Sequence, residues 1–553
     1  MRSEPRMDRD GHGSADRRAS ASIRSSGLRR LHGSPRRTLS ICAFAWFPLL
    51  FGCWSSARLA EHDGIRREIE PPALAPAPAA NELPEPPPAQ PVERPAPPTG
   101  PLELTEVLQS VDSQFPLLLA IAQEREIAAG QRLSAEGGFD LNLRSRGATQ
   151  GGTFPNSRLD VFAEQPTPLA GLSFFTGYRL GIGDFPVYYG DRLTADGGEF
   201  RAGALLPLLR DRPIDRRRAA LRQGRIAESL AEPAVQRARI EYLRAAARAY
   251  WSWVAAGEQC RVAQALLRIA RDRQAGLEEQ FRRGQIAEFV VIDNQRLIAE
   301  RDGARIAADR RFQQTALDLS LFLRDACGDP IVPSADRLPP DFLRRETAAA
   351  RSESLRADIE TAWSQRPELV RFALLKERAS IELTLAENQT LPALNAAIAG
   401  AQDVGPGKQQ PGIFALERAL IEGSLVLDVP LQRREAQGRV QSARAALAQI
   451  AAQERFARDQ ISTEVQDAVS NLERAIERLA RAREELQVAR RVADLERERF
   501  TRGQSTLLEV NLRELAAAGA EIKVVDTLAD MFRAEADLRA ALGADAATTP
   551  RPQ

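Results

Sequence analysis

The chain has 553 residues, a net charge of +1 and 27% charged residues, and aromatics make up only 6%. A charge so near zero leaves no basic excess to displace counterions, which argues against a nucleic-acid partner. His12, His32 and His62 are all the histidines there are, so beyond residue 62 a Ser-His-Asp triad, a Cys-His pair or a His-ligated zinc has no imidazole to use.

The four cysteines, Cys42, Cys53, Cys260 and Cys327, include no CxxC pair. Gly181-Ile182-Gly183 begins like a dinucleotide loop, but Pro186 holds the third glycine position, and no Walker-type glycine-lysine loop exists. The reading is therefore no catalytic residue, no metal, no cofactor and no enzyme.

Taken in chain order, Arg36 and Arg37 precede an apolar run, Leu39 to Gly52, that ends at Cys53. A basic flank and a run too short to span a bilayer predict a secretory signal over 1–53. Leu50-Phe51-Gly52-Cys53 resembles a bacterial lipobox, which makes Cys53 the candidate lipidation site; Phe51 is bulkier than such signals usually carry. Ordinary cleavage nearby and an uncleaved anchor are the alternatives. Residues 54–101 are rich in proline and alanine, as in Pro86-Pro87-Pro88, and are expected to form an extended tether.

The body then repeats. Phe281-Arg282-Arg283-Gly284-Gln285 recurs as Phe500-Thr501-Arg502-Gly503-Gln504, with Val291 opposite Val510. Ser113-Gln114-Phe115-Pro116 recurs as Ser364-Gln365-Arg366-Pro367, and Leu206-Pro207-Leu208 matches Val429-Pro430-Leu431. These landmarks divide the body into a first repeat (102–330), a linker (331–355), a second repeat (356–545) and a tail (546–553). Each repeat is expected to run helix, strand, loop, strand and then a long helical hairpin.

The hairpin arms carry a heptad seam. Ile461, Val465, Ala468, Leu472, Ala475, Leu479, Ala482, Leu486, Ala489 and Ala493 follow steps of four and three. The same phase in the first copy runs Tyr242, Ala246, Ala249, Trp253, Ala256, Cys260, Ala263, Leu267 and Ala270. Cys260 then reads as a small buried seam residue, too far from Cys327 to pair with it. Strands are predicted over Phe139–Gly147, Phe200–Leu208, Leu394–Ala401 and Gly423–Pro430, each about long enough to cross a bilayer when tilted. The loop of the first pair holds Phe174, Phe175, Tyr178, Phe185, Tyr188 and Tyr189, read as a membrane-interface girdle or as a packed loop core. Four strands cannot close a barrel, so strands that enter a membrane require several copies of the chain.

From about Leu102 to Gly543 these residues resemble the TolC-type outer-membrane efflux and secretion channels. The resemblance rests on the two Phe-x-x-Gly-(x)6-Val turns, the Ser-Gln-x-Pro helix starts and the strand-Pro-Leu junctions. It implies an α+β membrane protein, a homotrimer whose three sets of four strands make one barrel and whose helical hairpins make a periplasmic tunnel. It also implies a periplasmic adaptor and an inner-membrane pump or ABC transporter as partners, in efflux or in type I secretion. By position, Arg283, Gly284, Gln285, Arg502, Gly503 and Gln504 are the adaptor-docking turns. Glu509 and Asp293 are the periplasmic gate candidates; the second copy has Leu512, and the first Val290, where the other carboxylates of the pattern would stand. The alternative for Glu509 is a helix-start carboxylate favoured by the helix dipole. The alternative for the chain is a periplasmic coiled-coil adaptor or scaffold without a barrel.

Overall fold

The computed structural model describes residues 100–186, 193–345, 354–406 and 419–546, all within the unit Pro91–Gln553. The signal region with Cys53, tether residues 54–99 and tail residues 547–553 lie outside the described residues.

The Ser-Gln-x-Pro motifs are helix breaks. Helix α1 (Leu104–Gln114) stops at Phe115, which is extended, and Pro116 opens α2 (Pro116–Ala122), followed by α3 (Glu124–Glu136). In the second copy α6 (Leu355–Gln365) stops at extended Arg366, and Pro367 opens α7 (Pro367–Asn388). The reason is the same in both: proline disfavours helical backbone in the residue before it, yet suits the first helical turn, where no N–H is needed. Phe115 spends its side chain on Phe322 and Tyr242, with ring centroids at 5.5 and 4.9 Å. Arg366 instead donates to Glu464 at 2.8 Å.

Two hairpins follow. Helix α4 (Arg216–Arg282) turns into α5 (Glu288–Ser320), and α8 (Arg434–Thr501) turns into α9 (Leu507–Leu542). The long arms have 67 and 68 residues, about 100 Å each at 1.5 Å per residue. Nine of the ten expected α8 seam positions are buried, and Ala489 packs partly buried against them. Alanine alternating with leucine lets the neighbouring helices approach closely. On α4 the same phase buries Trp253, Ala256, Cys260, Leu267 and Ala270. Cys260 is a seam thiol that donates to Asp309 Oδ1 at 2.8 Å, and burial pushes its pKa up to about 12.

An aromatic part of the core lies midway along the arms. Trp251 stacks on Phe532 at 4.1 Å, Tyr250 and Trp253 are fully buried, and the Tyr250 hydroxyl donates to Leu102 O at 2.8 Å. Leu323, just after α5, and Leu338 and Phe342, from the linker between the two copies, fill the same core.

Among the described residues the sheet has six strands, not four. They are β1 (Asn142–Gln150), β2 (Asn156–Pro166), β3 (Ser173–Gly183), β4 (Glu199–Pro207), β5 (Ala393–Asp403) and β6 (Leu420–Asp428), antiparallel in that order. The four expected strands are β1, β4, β5 and β6, with β1 starting three residues later because Gly137–Phe139 form a 3-10 turn. The expected aromatic loop is a correction. Phe174, Phe175 and Tyr178 stand on β3, Phe185 is buried just beyond it, and Tyr188 and Tyr189 lie outside the described residues. Glycines hid this strand. Gly177 lies beneath the Phe162 ring and Gly203 beneath the Phe175 ring, where a Cβ would collide with either.

Candidate functional site: the hairpin tips and the sheet

Both hairpins turn by the same device. Gly284 (φ 72°) and Gly503 (φ 73°) are left-handed, where an L side chain is strained and glycine is not. Gly284 N–H donates to Phe281 O at 2.8 Å and Gln285 N–H to Gln280 O at 2.9 Å. Gly503 N–H donates to Phe500 O and Gln504 N–H to Arg499 O, both at 2.9 Å. This double closure is the Schellman motif, which satisfies the last helical carbonyls. Arg283 pairs with Glu279 at 2.9 Å and Arg502 with Glu498 at 3.6 Å, so each turn arginine lies back along its own helix. The two tips also pack on one another, since Leu277 and Val291 share a buried cluster with Leu507. Five residues beyond each glycine an apolar side chain stands out into solvent: Phe289 is 72% exposed and Leu508 61%.

The helix starts after the turns differ. Thr506 and Glu509 form a capping box: Glu509 N–H donates to Thr506 Oγ1 at 3.3 Å, and Thr506 N–H donates to Glu509 Oε2 at 3.0 Å. The Thr506 N–H, with the Ser505 and Thr506 hydroxyls, holds the Glu509 carboxyl below its ordinary pKa. The N-cap of α5 is Ala287, which offers no side-chain cap. Asp293 accepts from Arg296 Nε at 3.1 Å, so it does not stand as a free charge.

Sequence reading missed the charge cluster that ties the two hairpins together. The Glu514 side chain, 1% exposed, accepts from Arg273 at 2.7 Å and from Arg497 at 3.1 Å, while Arg301 lies 3.6 Å from its other oxygen. Four helices, α4, α5, α8 and α9, thus meet on one carboxylate. Burial pushes the Arg301 pKa down, and Glu514 opposes that shift. The available signal was phase: Glu514 falls in register with buried Val510, Asn511 and Ala518, where an apolar residue is expected.

The sheet has two chemically different faces. The strand registers put Leu143, Leu159, Leu180, Phe200, Ile398 and Leu425 on one face, one from each strand. Leu425 is 71% and Ile398 59% exposed. The other face carries the charges. Asp160, Arg179 and Glu199 form an ion-pair chain across β2, β3 and β4 at 2.9 and 3.7 Å, and Arg201 reaches Glu422 at 3.3 Å. Apolar outside and polar inside, at strand lengths of 9 to 11 residues, is the chemistry of a barrel wall in lipid. No helix among the described residues is long and apolar enough to cross a membrane. Among the described residues no cluster of His, Cys, Asp or Glu could hold a metal ion.

Residues 359–544 match the family model described as outer membrane efflux protein. No curated protein matches the chain. Solved structures share its fold. The outer membrane protein VceC from Vibrio cholerae is 16% identical, with a TM-score of 0.55 over 80% of this chain and 96% of that one. The MtrE outer membrane channel of Neisseria gonorrhoeae is 15% identical, with a TM-score of 0.57 over 80% and 88%. The CmeC outer membrane channel of Campylobacter jejuni is 12% identical, with a TM-score of 0.56 over 80% and 85%. The outer membrane efflux protein model thus matches the second copy, and the body as a whole has the fold of these outer membrane channels.

Proposed function

We propose that three copies of this chain form one passive exit duct, through which an inner-membrane pump or ABC transporter sends solutes or exported polypeptides by way of a periplasmic adaptor. One observation carries this reading: a sheet with an apolar outer face and two unpaired edges is joined to helical arms about 100 Å long. An open edge is not viable in lipid, so the sheet must close with other copies. The duct itself performs no chemistry; energy comes from the partners.

The adaptor docks at the turns. Gly284 and Gly503 keep the tips narrow, Arg283, Gln285, Arg502 and Gln504 offer polar groups, and exposed Phe289 and Leu508 give an apolar anchor at the matching place on each tip. Glu509 supplies the gate. Three such carboxylates near one axis repel each other and attract cations, as charged pore rings do. The hydrogen bonds from Thr506 and Ser505 keep each one ionised at neutral pH. Asp293 is the weaker contributor, because Arg296 already pairs with it. Lipidation at Cys53 anchors the start of the chain to the same membrane.

Cell fractionation tests the reading. A heat-modifiable trimer in the outer-membrane fraction that co-purifies with an adaptor supports it, whereas a soluble periplasmic protein would fit a coiled-coil scaffold and sink the duct. In planar bilayers Glu509→Ala should raise single-channel conductance or weaken block by divalent cations. Unchanged currents would remove Glu509 from the gate.

A further inference from the structure

We infer that the barrel built by this chain has eighteen strands, six from each of three copies, rather than the twelve that four strands per copy would give. The inference rests on the trimeric reading above and concerns the hairpin of β2 and β3.

This hairpin is part of the wall, not an appendage to it. The ladder runs without a break from β1 to β6, and β1 meets β4 only through β2 and β3. The hairpin has the full depth of its neighbours. At its helix-side turn Gly171 lies against Pro207 and Arg218, at the junction of β4 with α4, and Gln165 donates to Phe139 O at 2.6 Å beside the start of β1. Apolar and polar faces continue through it in phase, with Leu159 and Leu180 paired on the outer side and Asp160 and Arg179 on the inner. Side chains lock its register on both flanks. The Phe162 ring covers Gly177 between β2 and β3, and the Phe175 ring covers Gly203 between β3 and β4. The ion-pair chain from Asp160 through Arg179 to Glu199 crosses the same three strands. Slipping the hairpin out of the wall would break all of these contacts together.

The edges suit closure by further copies of the same chain. With six strands, β1 and β6 run in opposite directions, so β6 of one copy meets β1 of the next as an antiparallel pair. Their inner faces are complementary in charge: β1 presents Arg144 and Arg146, and β6 presents Glu422 and Asp428. On the outer face β6 presents Ile421, Leu425 and Leu427, and β1 presents Leu143 beside small residues, Ser145, Gly147 and Thr149. Strands spaced about 4.8 Å apart and tilted about 40° give a wall roughly 36 Å across for eighteen strands, against roughly 24 Å for twelve. Barrels of about 16–18 strands leave an aqueous channel.

Electron cryomicroscopy of the full chain, purified from outer membranes into nanodiscs, tests this. A trimer with eighteen strands in its wall is the expected result. A trimer with twelve, and the β2–β3 hairpin outside the wall, would overturn the inference and leave the trimer standing; particles that are not trimers would overturn the trimer itself. In whole cells, Arg158→Cys should label with a membrane-impermeant maleimide through the pore while its neighbour Leu159→Cys is shielded by lipid. Equal labelling of both would place the hairpin in water and contradict the eighteen-stranded wall.

Discussion

The two copies of the repeat agree where the backbone decides and differ where side chains do. Both break a helix at an x-Pro step, both turn on a left-handed glycine with the same pair of hydrogen bonds, and both keep one heptad phase. They part in the strands, where among the described residues the first copy has four and the second two. They part again in the core, where Trp253 of the first copy occupies the seam position of Leu472 in the second. At the turns, Thr506 and Glu509 cap the second copy while Ala287 leaves the first uncapped. Duplication thus preserved the long arms and their reversals, and the copies diverged in what each must touch.

The largest effects should come where the copies are joined or most unlike. Glu514→Ala leaves buried Arg301 and mostly buried Arg273 without their carboxylate, beside half-exposed Arg497, and should cost about 3–5 kcal/mol, the usual penalty for breaking a buried ion pair. Thermal unfolding of the purified protein measures this, and a loss near zero would show that water already solvates the cluster. Trp253→Ala should cost about 3–5 kcal/mol and Leu472→Ala about 2–5, so the first copy should lose at least as much at the equivalent position. The reverse order would mean that the aromatic core midway along the arms packs less tightly than its burial indicates.

Next come the turns, where the copies should respond alike. A Cβ on Gly284 or Gly503 would meet nothing within 4 Å, so alanine at either carries only the backbone strain of left-handed φ. That strain is about 1–2 kcal/mol and should be equal in the two turns. Unequal losses would reveal a contact at one tip.

The smallest effects should separate the turns again. Thr506→Ala should cost about 1 kcal/mol of helix stability, whereas Ala287→Ser in the uncapped turn should gain a fraction of that. Proteolysis at the tips reports both. The Glu509 half of the capping box depends on its charge, and its folded pKa is held below the ordinary value. Its contribution is therefore complete above the ordinary carboxylate range and fades as pH falls through the lowered folded pKa. Tip proteolysis of the second turn should rise at acid pH, and Glu509→Gln should remove that dependence.

The sequence spoke clearly where periodicity is long. Ten seam positions in unbroken steps left α8 no other packing, and two Phe-x-x-Gly turns at matching places fixed both reversals. It was obscure where one face of a short element carries glycine. In β3 the inner face reads Phe175, Gly177, Arg179, Gly181, so the alternation that marks a strand is blunted by residues whose absence of a side chain is itself the packing. The charge cluster was hidden for a different reason. Glu514, Arg273 and Arg301 look like members of solvated helix faces until four helices bring them to one point. The tip glycines were legible because only backbone geometry is at stake; the role of Glu509 depends on a pore axis that a single chain does not contain.

The most direct test of the duct is reconstitution of the purified full-length chain into planar bilayers, with its mass in detergent measured on the same sample. A trimer that opens discrete conductance steps is the predicted result. A monomer that leaves the bilayer silent, and that partitions into buffer without detergent, would contradict it.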